Sequence, residues 1–124
     1  MENTYNLVEL FSGIGSQAKA LKNLGMEIKT IGTCEWDLHA FIAYDAIHHS
    51  PELPAECAQM NKKDILKNLS VYTLSNNGKE KMEYKVLKSY SEDVLRRIYA
   101  AIIRSNNFVD VSSLSGETLP GNID

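Results

Sequence analysis

Hydrophobic positions fall in short runs along the chain, and their period changes from run to run. Tyr5 to Phe11 reads as a short buried strand. After Gly13 and Gly15, the stretch Gln17 to Leu24 reads as a helix with Ile14, Ala18, Leu21 and Leu24 on one face, and Gly25 is placed to end it in the left-handed conformation. Glu27 to Cys34 is a second strand-like run. Asp37 is a good N-cap for a helix that turns Leu38, Phe41, Ile42 and Ala46 inward. Pro51 and Pro54 mark a break, and a short helix carrying Ile65, Leu66 and Leu69 follows. Asn77-Gly78 is a turn signal between Val71–Ser75 and Met82–Leu87, which together suggest a hairpin. Ser91-Glu92-Asp93 opens the most amphipathic helix, with Val94, Leu95, Ile98, Ala101 and Ile102 at the helical period. Phe108 to Val111 returns as a third strand.

The opening order has a chemical meaning. A strand enters a glycine turn, a helix leaves it, and the second strand ends in Glu35 beside the only tryptophan, Trp36. This is the first half of a nucleotide-binding α/β unit. Glycines let backbone approach a ligand closely, and the acid can accept hydrogen bonds from ribose hydroxyls. Gly13-Ile14-Gly15-Ser16-Gln17-Ala18 also satisfies the dinucleotide fingerprint G-x-G-x-x-G/A, with Glu35 at the expected distance. A nicotinamide-dependent dehydrogenase fragment is therefore one reading of these residues.

Composition adds limits. With 124 residues, 44% hydrophobic and 23% charged, the chain has an ordinary globular make-up and enough for one small core. No run approaches transmembrane length and Met1-Glu2-Asn3-Thr4 is polar, so a cytoplasmic location is expected. Cys34 and Cys57 form no C-x-x-C pair, and His39, His48 and His49 make no ligand constellation with them, so no metal is expected. Beside Glu35 the Cys34 thiol is a poor nucleophile, and both cysteines read as structural. The net charge of −3 hides a segregation: residues 62–104 hold ten Lys/Arg against five acids, +5, and the rest holds three Lys against eleven acids, −8.

Residues 5–48 and 105–124 resemble the opening of cytosine-5 DNA methyltransferases. The resemblance rests on Phe11-Ser12-Gly13-Ile14-Gly15 after the first strand, Glu35-Trp36 after the second, and Asn107-Phe108-Val109-Asp110-Val111 as the third-strand element, in that order. It departs at Ser16, where the family usually has a second glycine. A small Ser is tolerable at a helix start if its φ is negative. Leu119 to Asp124 looks like the approach to a fourth strand, which in the family leads into a Pro-Cys-Gln block carrying the nucleophile. No Pro-Cys pair occurs in these residues.

The resemblance implies a partial Rossmann-like class I methyltransferase fold of the α/β class: three strands of a mostly parallel sheet with flanking helices, plus a helical insert. Residues 1–50 and 105–124 would form the S-adenosylmethionine-binding half, and 51–104 a basic, mainly helical insert. Phe11, Gly13 and Gly15 would turn around the methionine portion of S-adenosylmethionine. Glu35 would bind the ribose hydroxyls, Trp36 would lie on the adenine and Asp110 would meet its amino group. Ser12, Ile14 and Val111 would line the pocket beside them. The parent would transfer the methyl group to carbon 5 of cytosine, reaching DNA through its C-terminal part, and this portion alone would be inactive, with no catalytic residue of its own. A standalone S-adenosylmethionine-binding regulatory or pseudo-enzyme module is the other reading. Without a fourth strand, the first would present an open edge, to be covered by self-association or by a rearranged tail. The insert, lying between the second helix and the third strand, is expected to emerge at the end of the sheet opposite the ligand, from where it could wrap round; its lysines read as a solvated helical face, with DNA contact the alternative.

Overall fold

The computed structural model describes residues 3–124, so Met1 and Glu2 lie outside the description. Strand β1 (Thr4–Leu10) is followed by helix α1 (Ser16–Asn23), strand β2 (Glu27–Cys34) and helix α2 (Leu38–His48). Then come α3 (Ala55–Ala58), α4 (Lys62–Leu69), α5 (Tyr84–Ser89) and α6 (Glu92–Arg104), and a 3₁₀ turn at Val111–Ser113. The two strands pair in parallel, with Thr4 opposite Glu27 and Leu10 opposite Cys34, so α1 is the crossover of a β-α-β unit. The register shifts between Leu7 and Val8, because Leu7 faces Thr30 while Val8 faces Gly32. The skipped residue, Ile31, gives its carbonyl to the side-chain amide of Asn106.

The α/β class and the parallel start of the sheet agree with the sequence reading, but the third strand does not form. It reduces to one parallel bridge, Thr33 opposite Asn107. Asn106 and Val109 have φ of +45° and +67°, which breaks the extended run on both sides of Asn107 and Phe108. The hairpin is also absent. Tyr84–Ser89 is helical, and one backbone bond, Met82 N–H to Leu74 O, remains of the expected pairing.

Helix ends follow the expected chemistry. Gly25 has φ +83°, its N–H donates to Lys22 O, and Met26 N–H donates to Leu21 O, a Schellman close. Asp37 caps α2 through His39 N–H, Asn61 caps α4 through Asp64 N–H, and Ser91 caps α6 through Val94 N–H. Ser16 begins α1 and has no positive φ.

The main apolar cluster lies among the helices. It joins Leu38 and Phe41 of α2 to Ile65 and Leu69 of α4, Leu87 of α5, Leu95 and Ile98 of α6, and Val109. An ion pair fastens the same layers: Arg104 of α6 binds Asp45 of α2 and donates to the carbonyls of Ser50 and Glu52. The α1 face behaves differently from expectation. Ala18 is buried, but Ile14 is exposed and Leu24 is 78% exposed. Ala46 and Val94, also expected inward, lie at the surface, because the core meets α2 through Leu38, Phe41 and Tyr44 and meets α6 through Leu95, Ile98 and Ile102.

The tail reaches the free edge of β1. Asp124 N–H donates to Asn6 O, and Asn6 N–H donates to the Asp124 carboxylate. Asn6 also donates through its side-chain amide to Asn122 O.

Candidate functional site

A cavity of about 210 Å³ opens where the two strands end, lined by Phe11, Cys34, Glu35, Trp36, Val109, Asp110 and Val111. Five residues singled out from the sequence therefore meet at one place: Phe11, Glu35, Trp36, Asp110 and Val111. Their position, at the carboxyl ends of parallel strands, is where open α/β sheets bind ligands.

The turn after β1 sets the near wall. Ser12 N–H donates to Cys34 O, which extends the strand pairing by one step, and Gly15 N–H then donates to Ser12 O to close the turn. Phe11 has φ +54° and is 69% exposed, so its ring is held outward on a backbone conformation that few non-glycine residues adopt. Gly13 also has positive φ, with open space where a Cβ would stand. Its N–H donates to Glu35 Oε1 at 3.0 Å, and Asp37 N–H donates to Glu35 Oε2 at 3.2 Å. The Glu35 carboxylate is thus fixed by two backbone groups, and each oxygen keeps a further lone pair for a ligand.

Gly15 also has a packing role within the protein. A Cβ there would lie 2.2 Å from His48 Nε2 and 2.8 Å from Tyr44 Cε2, so the glycine lets the turn seat directly on α2. His48 Nε2 lies 3.1 Å from Ile14 O and donates to it, its ring 4.3 Å from that of Tyr44. Ile14, Ser12 and Gly15 are not among the cavity-lining residues; they build the turn behind it.

Glu9 is the support that sequence reasoning missed. It is 2% exposed, its Oε1 accepts the Ala18 N–H in the first turn of α1, and its Oε2 accepts the Tyr44 hydroxyl at 2.7 Å. A carboxylate at a helix N-terminus is favourable, and here it ties β1, α1 and α2 together. Burial first, then this hydrogen bond to Glu9, raises the Tyr44 pKa far above the usual phenol range. The signal was present: Glu9 is the one charged residue in the run from Tyr5 to Phe11.

Asn107 holds the far wall. Its side-chain oxygen accepts the Glu35 N–H at 3.0 Å and its amide donates to Glu35 O at 3.0 Å, which copies strand pairing with a side chain. The same oxygen accepts the Val109 N–H. Backbone pairing one step earlier, Phe108 N–H to Thr33 O, sets the register. This brings Val109 and Asp110 over Cys34. Asp110 accepts from the Ser112 hydroxyl at 2.6 Å and from its N–H at 2.9 Å, with Thr73 also nearby, and these bonds hold its carboxyl below the usual range. Burial, then Asp110 and Glu35, push the Cys34 thiol up, so it stays neutral at pH 7, and Cys57 is raised chiefly by burial. Trp36 both lines the cavity and packs on the apolar cluster.

The insert meets the sheet at the same end as the cavity, contrary to the expected opposite end. Leu38 N–H donates to Ser75 O and Ser75 N–H donates to Trp36 O, a parallel bridge just past β2. Among the described residues, no cluster of three or more His, Cys, Asp or Glu could hold a metal, and no helix is long and apolar enough to cross a membrane.

No family model matches the chain. It is 34% identical over 120 residues to the orphan methyltransferase M.SssI of Spiroplasma monobiae, an overlap covering 94% of this chain and 31% of that protein. It is 34% identical over 88 residues to the orphan methyltransferase M.SPBetaI of Bacillus phage SPbeta, covering 64% of this chain and 20% of that protein. The putative type II methyltransferase M.BsuMIIP of Bacillus subtilis gives the same figures. The chain spans less than a third of the length of these relatives.

Proposed function

We propose, from the premise that this chain is homologous over most of its length to orphan DNA methyltransferases, that it is the cofactor-binding segment of a DNA (cytosine-5-)-methyltransferase. The observation that carries the reading is the single cavity into which Phe11, Glu35, Trp36, Asp110 and Val111 converge at the strand ends. In this reading the cavity takes the adenosine of S-adenosylmethionine. Trp36 offers an aromatic face to adenine, Asp110 accepts from its amino group, and Glu35 accepts from the ribose hydroxyls. The methionine portion lies outward along Phe11, Gly13 and Gly15, with Ser12 and Ile14 shaping the turn. At about 210 Å³ the hollow is smaller than a typical enclosed ligand site, which suits a nucleoside with the rest of the molecule left outside.

The whole enzyme would carry the methyl transfer, acting on a cytosine flipped out of the duplex. This chain supplies no thiolate for that step: Cys34 and Cys57 are buried and their thiols are raised, and no Pro-Cys pair is present. We therefore expect the chain to bind cofactor and transfer nothing by itself.

Calorimetric titration with S-adenosylmethionine and, separately, with NAD tests the reading, with Glu35→Ala as control. Heat with S-adenosylmethionine only, lost in the variant, supports it. Preference for NAD would favour a dehydrogenase origin for the same fingerprint, and silence with both would overturn cofactor binding by this chain.

A further inference from the structure

We infer that the outer surface of α4 and α5 is a phosphate-backbone contact for duplex DNA. The inference goes beyond the cofactor reading and does not rest on it, since a duplex can be held there whether or not the cavity is filled. Residues 62–88 contain seven lysines and three acids, a balance of +4, in a chain whose remaining residues total −7. The structure sorts the basic residues by role. Arg96 is bound to Glu92, Asp93 and Met60 O, and Arg104 to Asp45 and the 50–52 carbonyls. Of the seven lysines, Lys85 alone forms an ion pair among the described residues, with Glu83. The other six leave their charge to solvent although the chain contains 16 acids.

Three of them, Lys62, Lys63 and Lys88, surround one open hollow of about 430 Å³ between α4 and α5, floored by Leu66 and edged by Tyr84. Tyr84 is 54% exposed, so its hydroxyl is available as a further donor. Lysine ammonium groups around a concave surface match a line of phosphates, and duplex DNA has the charge spacing that makes counterion release effective. A single strand would call for several stacking rings, and Tyr84 is the only aromatic side chain lining this hollow. The bridge through Ser75 joins this insert to the sheet just past β2.

Fluorescence anisotropy with a labelled 20-base-pair duplex and the full 124-residue chain tests this. Three phosphate contacts predict a roughly 40-fold loss of affinity between 50 and 200 mM salt. Lys62→Glu/Lys63→Glu/Lys88→Glu should weaken binding by at least about tenfold at low salt. A control, Lys19→Glu/Lys22→Glu/Lys29→Glu, changes the three lysines outside the insert and gives the same net charge, −9, because each replacement removes two units from −3. It should retain most of the affinity. Equal loss in both variants would mean that net charge alone governs binding and would overturn the assignment. So would full binding by the first variant, no binding by the wild-type chain, or equal affinity for a polyglutamate peptide. Thermal melts of both variants check that they fold. Heat with S-adenosylmethionine, measured in parallel, reads the cofactor site separately, so either inference can fail alone.

Discussion

Replacing Gly15 by alanine probes the contact between the glycine turn and α2. The residue has φ +86°, and holding an L-residue in that left-handed region costs about 1–2 kcal/mol. The new methyl would also stand 2.2 Å from His48 Nε2, so the ring must move, at about 1–3 kcal/mol for an overfilled site. Loss of the His48 bond to Ile14 O adds about 1 kcal/mol. The total is about 3–6 kcal/mol, a large part of the stability of a small domain. At an unfolding entropy of about 2.1 cal/mol/K per residue, each kcal/mol lowers Tm by roughly 4 °C in a chain this size, so the melt should drop by about 12–24 °C. Gly13→Ala is the comparison. It has positive φ but nothing within 4 Å of a new Cβ, so the backbone cost alone remains, and a drop of about 4–8 °C follows. Circular dichroism melts of both variants, and of Gly15→Ala in a His48→Ala background, complete the cycle. With the ring removed, the new methyl still stands 2.8 Å from Tyr44 Cε2, so the alanine should cost less than in the wild-type background but more than at Gly13. Equal melts for Gly13→Ala and Gly15→Ala in the wild-type background, or no coupling to His48, would refute the claim that α2 seats the turn.

Other expectations follow from the same geometry. Removing the hydroxyl in Tyr44→Phe leaves buried Glu9 short of a donor and should destabilise the chain by about 1–3 kcal/mol at pH 7, read from urea melts. Because the folded pKa of Tyr44 lies above its unfolded value, stability is full below about pH 10 and falls as the unfolded phenol ionises above it. That alkaline fall should be smaller in Tyr44→Phe, and an unchanged slope would count against it. Arg104→Met breaks a mostly buried pair and leaves Asp45 with His49 as its remaining side-chain partner, at a cost of about 3 kcal/mol, which a urea midpoint shift should reveal. Leu95→Ala, at a fully buried core position, should cost about 2–5 kcal/mol by the same measure. Cys34 and Cys57 should resist a thiol reagent at pH 7 in the folded chain and react once it is unfolded; fast labelling of the native protein would contradict their burial.

The sequence carried the β-α-β start, the caps at Asp37 and Ser91, the Gly25 helix close and the amphipathic core of α6, because each depends on residues within a turn or two of itself. The gathering of Glu35, Trp36 and Asp110 was legible only through the resemblance to cytosine-5 DNA methyltransferases, since spacing alone pointed to Glu35. The third strand failed for a tertiary reason: Asn107 spends its side chain on the Glu35 backbone, and positive φ at its neighbours ends the extended run. The hairpin failed because Leu74 and Met82 are buried in a helical core, while Ser75 turns away to pair beside Trp36. Such choices depend on partners far along the chain, as does the pairing of Glu9 with Tyr44, 35 positions away. Local period does not encode them.

Asn107 gives the site an unusual genetic exposure. A strand that pairs through main-chain groups is nearly indifferent to which residue does the pairing, so its codons can drift. Here the step at Glu35 is made by a carboxamide offering one donor and one acceptor at a fixed separation. Aspartate, one nucleotide change away, keeps the shape but puts a second acceptor against the Glu35 carbonyl. The step at Glu35 therefore hangs on a single codon, while the backbone pairing of Phe108 with Thr33 beside it would absorb the same drift.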